Sequence, residues 1–433
     1  MASRPLSWLN AEAYALGGIL GSGIFSVLGV VLFIAGSAAW VAYLLAGIIA
    51  VCTSYSYVQL NEASDFHGGA VTLVLEHNGR PALAGMIGWL LLTGFLGLLA
   101  MYGYVFGAYA AAFVPAHTVA IRPMVSAACI ALFVGLNWIG AGESSRIETA
   151  IVGLNVVLVV VFAGVAAWHI HATPDLHYDA ALGGQPIGRI GVAAATAFVS
   201  LVAWQILMYD QSRMANPATT LDRTVRGSLP LAIGGYAILS MLLASLLGPG
   251  SLAHDPELVL LSAADAVSRS WAFVVVGAVA LGAIAAAINA IVFSTALFLE
   301  GLISYRLFPD AAAELPSEQL PRLPLLLIGA VSILVATVGR IEAIVEFSTL
   351  AFTVTNAIVS YLALRADQST VARPVALVGL FGAGAFVATT LWWLAVRDPS
   401  LLLATVGIGV CVVALEVLYF DRGVQAADQS SEG

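Results

Sequence analysis

A run of glycines, Gly17–Gly23 in the sequence GGILGSG, is the feature most able to bind a ligand. Four of its seven residues are glycine, and each glycine inside a helix costs about 1 kcal/mol relative to alanine. Such a run can unwind where it lines a cavity, and its N–H groups could then bind a carboxylate and its carbonyls a cation or an ammonium. Close helix–helix contact of the GxxxG type explains the spacing equally well.

Two carboxylates, Glu300 and Glu346, fall inside long apolar segments. Burying a carboxylate in lipid costs several kcal/mol, about 3 on insertion scales, so such a group usually faces a cavity or a partner. Either residue could carry a proton. Each also lies about one turn from a helix end, where it can simply reach water.

Enzyme and metal-site patterns are not found in the sequence. It contains no HExxH, GxSxG or Walker pattern, and no convergent His, Asp or Cys set within the apolar segments. The cysteines Cys52, Cys129 and Cys411 are far apart, so neither a disulfide framework nor a CxxC metal site is indicated. We predict neither an enzyme nor a cofactor.

The composition places the chain in a lipid bilayer. Of its 433 residues 61% are hydrophobic and only 9% are charged, against about 25% in soluble domains. A chain so poor in charge cannot cover a water-facing surface. Its net charge of −9, without basic clusters, excludes nucleic acid as a partner.

Twelve apolar segments are long enough to cross a bilayer, which takes about 20 residues. They cover 8–35, 38–60, 82–113, 122–140, 149–171, 190–211, 228–248, 271–304, 323–339, 342–363, 374–396 and 400–420. The loops are short, so we predict one all-α transmembrane domain over 1–420. A polar tail follows at 421–433.

Arginine placement predicts the orientation of the spans. With twelve spans, five arginines lie on the side opposite the N-terminus: Arg122, Arg189, Arg269, Arg340 and Arg397. The remaining eleven of the 16 basic residues lie on the side of the N-terminus. Because basic residues are in excess on the cytoplasmic side, we expect a multi-pass protein of the cell membrane with both termini in the cytoplasm.

Short motifs occur in a defined order between residues 14 and 366. They are Leu20–Phe25, Tyr57–Leu60, Gly68–Ala70, Gly88-Trp89, Asn216-Pro217, Arg306–Pro309 and Ala363–Arg365. Together they resemble the amino acid–polyamine–organocation (APC) superfamily of permeases. The resemblance implies a LeuT-type fold with two inverted repeats of five helices, at 8–171 and 190–363, and two additional C-terminal helices at 374–420. It also implies that the first and sixth helices are broken at the midplane.

Four residues depart from the pattern of the superfamily. Gln59 stands where Glu is usual, Asp65 where Pro is usual, Ala203 where Gly is usual and Gln205 where an acid is usual. The break in the sixth helix is therefore expected to be tighter, and the substrate to be atypical.

The resemblance also implies a solute site on the two broken helices. The residues that it assigns are Ile19, Gly21, Ser22 and Gly23 on the first helix, and Phe198, Ser200, Ala203 and Trp204 on the sixth. The first group would offer N–H groups to the carboxylate of the solute. The second would offer carbonyls to its ammonium group and form the pocket wall around its side chain. Ordinary packing remains an equal alternative for Phe198 and Trp204.

A Na⁺ site between the first and eighth helices is implied as well. Gly17 and Leu20 would supply carbonyls, and Ser294 and Thr295 hydroxyls, which suit a hard cation. Ser and Thr also commonly bind their own i−4 carbonyl, so a purely local role stays open. Asn155 lies where some relatives carry a titrating lysine, so no lysine ammonium can replace the cation at this position.

The function implied is secondary active transport of an amino acid or related amine by alternating access, coupled to Na⁺ or H⁺. A membrane sensor that keeps the fold and binds its solute without moving it is the alternative. The sequence does not separate the two.

Overall fold

The computed structural model describes residues 11–12, 15–62, 69–114, 121–139, 145–173, 176, 184–209, 211, 214, 216–247, 255–268, 271–305, 307, 322–366, 371–411 and 414. The regular secondary structure of these residues is helical. The predicted tail 421–433 and the motif residues Asp65, Gly68, Arg306, Phe308 and Pro309 lie outside them.

A helix occupies each of the twelve predicted segments within the described residues. We number them α1 (Gly17–Ser26 and Leu28–Ala35), α2 (Ala39–Glu62), α3 (Pro81–Ala112), α4 (Ile121–Trp138), α5 (Ser145–Ala172), α6 (Ile187–Leu201, continued by Ala203–Tyr209), α7 (Pro217–Leu246), α8 (Trp271–Ser304), α9 (Arg322–Val338), α10 (Ile341–Ala366), α11 (Ala372–Arg397) and α12 (Pro399–Cys411). Short helices at Ala70–Asn78 and Val259–Val267 lie between spans.

The start of α7 is the largest difference from the predicted boundaries. The helix begins at Pro217, whereas the apolar segment was expected from residue 228. Proline is favourable in the first turn of a helix, and Asp222 and Arg226 form an i,i+4 ion pair at 2.6 Å. These turns are helical but polar, so hydropathy alone misses them.

The core of the bundle is built around α6. In its most apolar stretch 94% of the residues are buried, against 22% in α5. The side chains of Leu154, Val157 and Val160 on α5 are exposed. A helix that is apolar on its exposed face is suited to lipid, so α5 lies at the periphery and α6 at the centre.

The helix contacts recur with an offset of five helices. Helix α1 contacts α5, as α6 contacts α10; α3 contacts α10, as α8 contacts α5; α2 contacts α10, as α7 contacts α5. The pair α3–α4 has its counterpart in α8–α9. This offset supports the five-plus-five repeat, whose boundaries stay a prediction.

Two helices are irregular, in different ways. In α6 the α-helix ends at Leu201, Val202 leaves helical geometry, and the chain continues as a 3₁₀ helix over Ala203–Tyr209. In α1 the glycine run is not unwound but forms a π-helical turn over Gly17–Ser22, and beyond it Val27 keeps helical hydrogen bonds to Gly23 and from Val31. A π turn keeps the backbone hydrogen-bonded while widening the helix, and such turns are frequent at functional sites.

The topology predicts which loops share a side of the membrane. A single cysteine at Glu76, between α2 and α3, and one at Asp265, between α7 and α8, should be labelled by an impermeant maleimide from opposite sides. The parent protein should carry serine in place of Cys52, Cys129 and Cys411. Labelling of both positions from the same side would contradict the twelve-span topology.

Candidate functional site

The π turn of α1 is fixed by a side chain from α7. The hydroxyl of Tyr236 donates to the carbonyl oxygen of Ile19 at 2.5 Å. The ring of Tyr236 is fully buried and stacks on Tyr43 of α2, with centroids 4.5 Å apart and planes 5° from parallel. A carbonyl in the irregular segment thus finds a donor within the protein, as membrane depth requires.

The irregular segments of α1 and α6 face each other. A Cβ on Gly23 would lie 2.0 Å from the Tyr236 hydroxyl and 2.6 Å from Cβ of Ser200. One on Gly18 would lie 3.5 Å from Cβ of Ala203, which is ordinary contact. Gly23 is therefore required by close approach between three helices, whereas Gly18 is not.

A small cavity of about 30 Å³ lies beside the π turn. Its walls come from α1, α5, α6 and α8: Gly17, Gly18, Ile151, Val152, Asn155, Ala203, Ile206, Ala283, Ala286, Ala287 and Ala290. The Asn155 side chain is buried, and its Oδ1 has no hydrogen-bond partner among the described residues. Pockets that hold small molecules measure about 300–1,000 Å³, so a solute would have to part the helices.

The structure divides the predicted solute residues. Gly23, Ser200 and Ala203 lie at the α1–α6 contact, and the carbonyl of Ile19 accepts from Tyr236 of α7. Gly21 and Ser22 belong to the π turn, and their surroundings lie outside the described part of the chain.

The two predicted aromatic residues contact other helices. The Phe198 ring packs edge-on against Phe386 of α11 at 5.8 Å, and Trp204 packs edge-on against Tyr57 of α2 at 5.5 Å. The indole Nε1 of Trp204 is buried without a hydrogen-bond partner among the described residues. Both rings have packing partners, and a role of either toward the solute stays a prediction.

The predicted Na⁺ ligands are not gathered at the cavity. Gly17 lines it, but α8 presents alanines there rather than Ser294 and Thr295. The Thr295 hydroxyl donates to the carbonyl of Ile291 at 2.6 Å, which is the local role left open by the sequence. The Na⁺ site, including the carbonyl of Leu20, stays a prediction.

The predicted proton carriers are also distant from the cavity walls. Glu300 is exposed near the C-terminal end of α8. Glu346 is 6% exposed and lies beside Trp393 of α11. Of the two, only Glu346 is buried, and it faces α11 rather than α1.

Two pairs of buried amides join helices at the interrupted part of α6. Gln205 Nε2 donates to Asn356 Oδ1 of α10 at 3.0 Å, and Gln205 Oε1 has no partner in the part of the chain that the structure describes. Asn61 of α2 and Gln211 donate to each other's carbonyl oxygens at 2.9 and 3.0 Å. Sequence reasoning singled out Gln205 as a departure but missed its partner, because nothing in the sequence links positions 151 residues apart.

The segment between α7 and α8 covers the C-terminal half of α1. A Cβ on Gly29 would lie 1.6 Å from the carbonyl oxygen of Pro256, so this approach is close. The adjacent Glu257 is only 8% exposed. Burial raises the pKa of its carboxyl above the ordinary 4.5, and the charge of Arg122 opposes that shift.

Apolar spans around two irregular helices that meet at a cavity define a polytopic membrane protein of the transporter class. The fold is similar to that of a solved manganese transporter of Eremococcus coleocola, with a TM-score of 0.57, 14% identity and coverage of 98% of this chain and 97% of that one. The family described as amino acid permease matches residues 6–423, and the chain belongs to this family. Its members are membrane transporters, not enzymes.

Curated relatives agree with this assignment. An uncharacterized transporter of Mycobacterium tuberculosis is 27% identical over 389 residues, which is 88% of this chain and 84% of the relative. Cationic amino acid transporter 4 of Mus musculus is 27% identical over 368 residues, which is 79% of this chain and 56% of that protein.

The two glycines of α1 should respond differently to the same substitution. Gly23→Ala forces Tyr236 and Ser200 apart, and overpacking of this kind costs about 1–3 kcal/mol. Gly18→Ala makes only an ordinary contact and should leave thermal stability in detergent nearly unchanged. We expect a lower Tm and weaker solute binding for Gly23→Ala alone; equal values for the two variants would contradict the geometry.

Proposed function

We propose that this protein is a secondary active transporter of an amino acid or related amine across the cell membrane, with both termini in the cytoplasm and a LeuT-type arrangement of inverted repeats. The observation that carries the proposal is the direct contact between the π turn of α1 and the interrupted segment of α6, next to a cavity. Irregular backbone at the centre of a bundle can offer N–H and C=O groups to a solute, whereas in a regular helix these groups are hydrogen-bonded to each other.

In this proposal each irregular helix binds one end of the solute. Rearrangement of the π turn frees N–H groups of α1 for the carboxylate, and the carbonyls that precede Val202 lack the next helical turn and accept the ammonium. The solute enters between Gly18 and Ala203, where even a Cβ built on Gly18 would make only ordinary contact with the Ala203 methyl group.

Alternating access needs a closure on each side of the site, and the packing provides candidates for both. On the side of the membrane where the N-terminus is expected, the Tyr209 ring lies against Gly69 and 5.1 Å from the Phe298 ring. On the opposite side Gly29 abuts Pro256, and Phe25 packs edge-on against Tyr109 at 5.8 Å. We propose that these two sets of contacts open in turn.

Counterflow in proteoliposomes tests transport directly. A thermal-shift screen of the purified protein against amino acids and amines first identifies a ligand. Vesicles loaded with that ligand unlabelled should then accumulate the labelled form, and Gly23→Ala vesicles should accumulate it several-fold more slowly. Binding without accumulation would reject the transporter and favour the sensor.

The coupling ion forms a separate prediction. If Na⁺ binds at Gly17, Leu20, Ser294 and Thr295, Na⁺ and solute must tighten each other's binding by the same factor. The hydroxyl oxygen of Thr295 can coordinate a cation while its O–H still donates to the carbonyl of Ile291, so this hydrogen bond is compatible with a Na⁺ site. Thr295→Ala should reduce the Na⁺ dependence of solute affinity about tenfold, which corresponds to about 1.4 kcal/mol.

The matched control for this measurement is Ser126→Ala. Ser126 is equally buried and donates to the carbonyl of Arg122 at 2.9 Å, but it lies on α4, away from α1. Solute affinity is measured across Na⁺ concentrations at fixed ionic strength. An affinity that ignores Na⁺ and follows pH would exclude the Na⁺ site and direct attention to Glu300 and Glu346.

A further inference from the structure

The polar groups around the α1–α6 contact carry no formal charge. They are the hydroxyls of Tyr43, Tyr236 and Ser200, the indole of Trp204, and the amides of Asn155, Gln205 and Asn356. All seven side chains are buried. Among the residues that line the cavity, every side chain is apolar except that of Asn155. The described surroundings of the site are therefore electrically neutral.

Four carboxylates that are buried, partly buried or predicted to carry a proton do not line the cavity. Glu12, the acid nearest to the π turn along the chain, lies against Gly227 of α7, and its Oε2 is buried without a partner among the described residues. Glu346 lies beside Trp393, and Glu300 is exposed. Glu257 belongs to the segment between α7 and α8, near Arg122. None of these four contributes to the cavity wall.

A neutral site discriminates between solutes by their net charge. A zwitterion brings one positive and one negative group, and peptide dipoles of opposite sense can match both. A cationic side chain or a metal ion adds a charge without a counter-ion, and an uncompensated charge at membrane depth is strongly unfavourable. Divalent metal ions of the Mn²⁺ type are in addition usually held by carboxylates.

The Gln205–Asn356 pair lies close to the interruption of α6 and to the cavity. Gln205 follows the interruption by three residues and the cavity-lining Ala203 by two. Its Oε1 is a buried acceptor without a partner among the described residues. Glutamate has the same shape as glutamine, so Gln205→Glu would place a negative charge here with little change in packing.

Resting on the proposed function, we infer that the solute is a net-neutral amino acid, and that the amide pair Gln205–Asn356 determines this charge preference. The neutral surroundings that the described residues form disfavour amino acids with cationic side chains, polyamines and divalent metal ions. This separates the chain from the relatives whose names mention cationic amino acids or manganese.

The test is a counterflow comparison in proteoliposomes with labelled L-alanine, L-leucine, L-lysine, L-arginine, putrescine and Mn²⁺. The wild-type protein should exchange a neutral amino acid at least tenfold faster than any of the four cations. In Gln205→Glu the ratio of lysine or arginine exchange to neutral exchange should rise at least tenfold.

The control is Gln59→Glu, which makes the same chemical change on α2, where the amide donates to Tyr55 and is partly exposed. It should leave the ranking of solutes unchanged. If Gln205→Glu does not fold, as judged by size exclusion and thermal unfolding, Asn356→Asp puts the charge on the other member of the pair.

The outcomes separate the two claims. Wild-type exchange of lysine, arginine, putrescine or Mn²⁺ at the neutral rate overturns the inference and leaves transport standing. A folded Gln205→Glu or Asn356→Asp with unchanged ranking overturns the role of the pair. No exchange of any amino acid overturns the proposed function, and the inference with it.

Discussion

Within a bilayer a backbone polar group finds no water, so every irregularity in a helix needs a partner from inside the protein. The bond from Tyr236 to the carbonyl of Ile19 meets this requirement for the π turn of α1. Tyr236 is in turn oriented by its stacking on Tyr43. The shape of α1 therefore depends on α2 and α7, and the contact with α6 depends on that shape.

Close approach then keeps the irregular segments together. Tyr236 and Ser200 approach Gly23 so closely that a residue with a Cβ would clash with them. The carbonyl of Pro256 approaches Gly29 in the same way. Gly69, at φ 71°, combines a backbone conformation that favours glycine with a close contact to a tyrosine ring. Within the glycine run, a Cβ on Gly17 would also lie 2.3 Å from a methyl group of Val152, so close packing explains Gly17 and Gly23, while ligand binding by the run stays a prediction.

Hydropathy predicted the spans well because lipid exposure acts on every residue of a helix, and the interruption of α6 followed from an ordered set of motifs. Rotation of a helix about its axis is harder to predict, because it depends on partners distant in sequence. The resemblance implied that Ser294 and Thr295 face α1; α8 lines the cavity with alanines, and the Na⁺ role of the two residues stays a prediction. Tyr236 lies 217 residues from its acceptor, and no local pattern predicts that bond. Phe198 was left open between solute binding and ordinary packing; its ring packs against Phe386, and a role toward the solute stays a prediction.

Neutral amide pairs link the helices where ion pairs could have stood. Asn61–Gln211 joins α2 to the end of α6, Gln205–Asn356 joins α6 to α10, and Asn137–Asn289 joins α4 to α8. Polar contacts of this kind between membrane helices contribute about 0.6 kcal/mol on average, whereas breaking a buried ion pair costs about 3–5 kcal/mol. Amides therefore specify which helices are neighbours and still allow them to separate at thermal energies. A bundle that opens alternately on two sides, as we propose, gains from links of this strength, and these three amide pairs place no charge between the described helices.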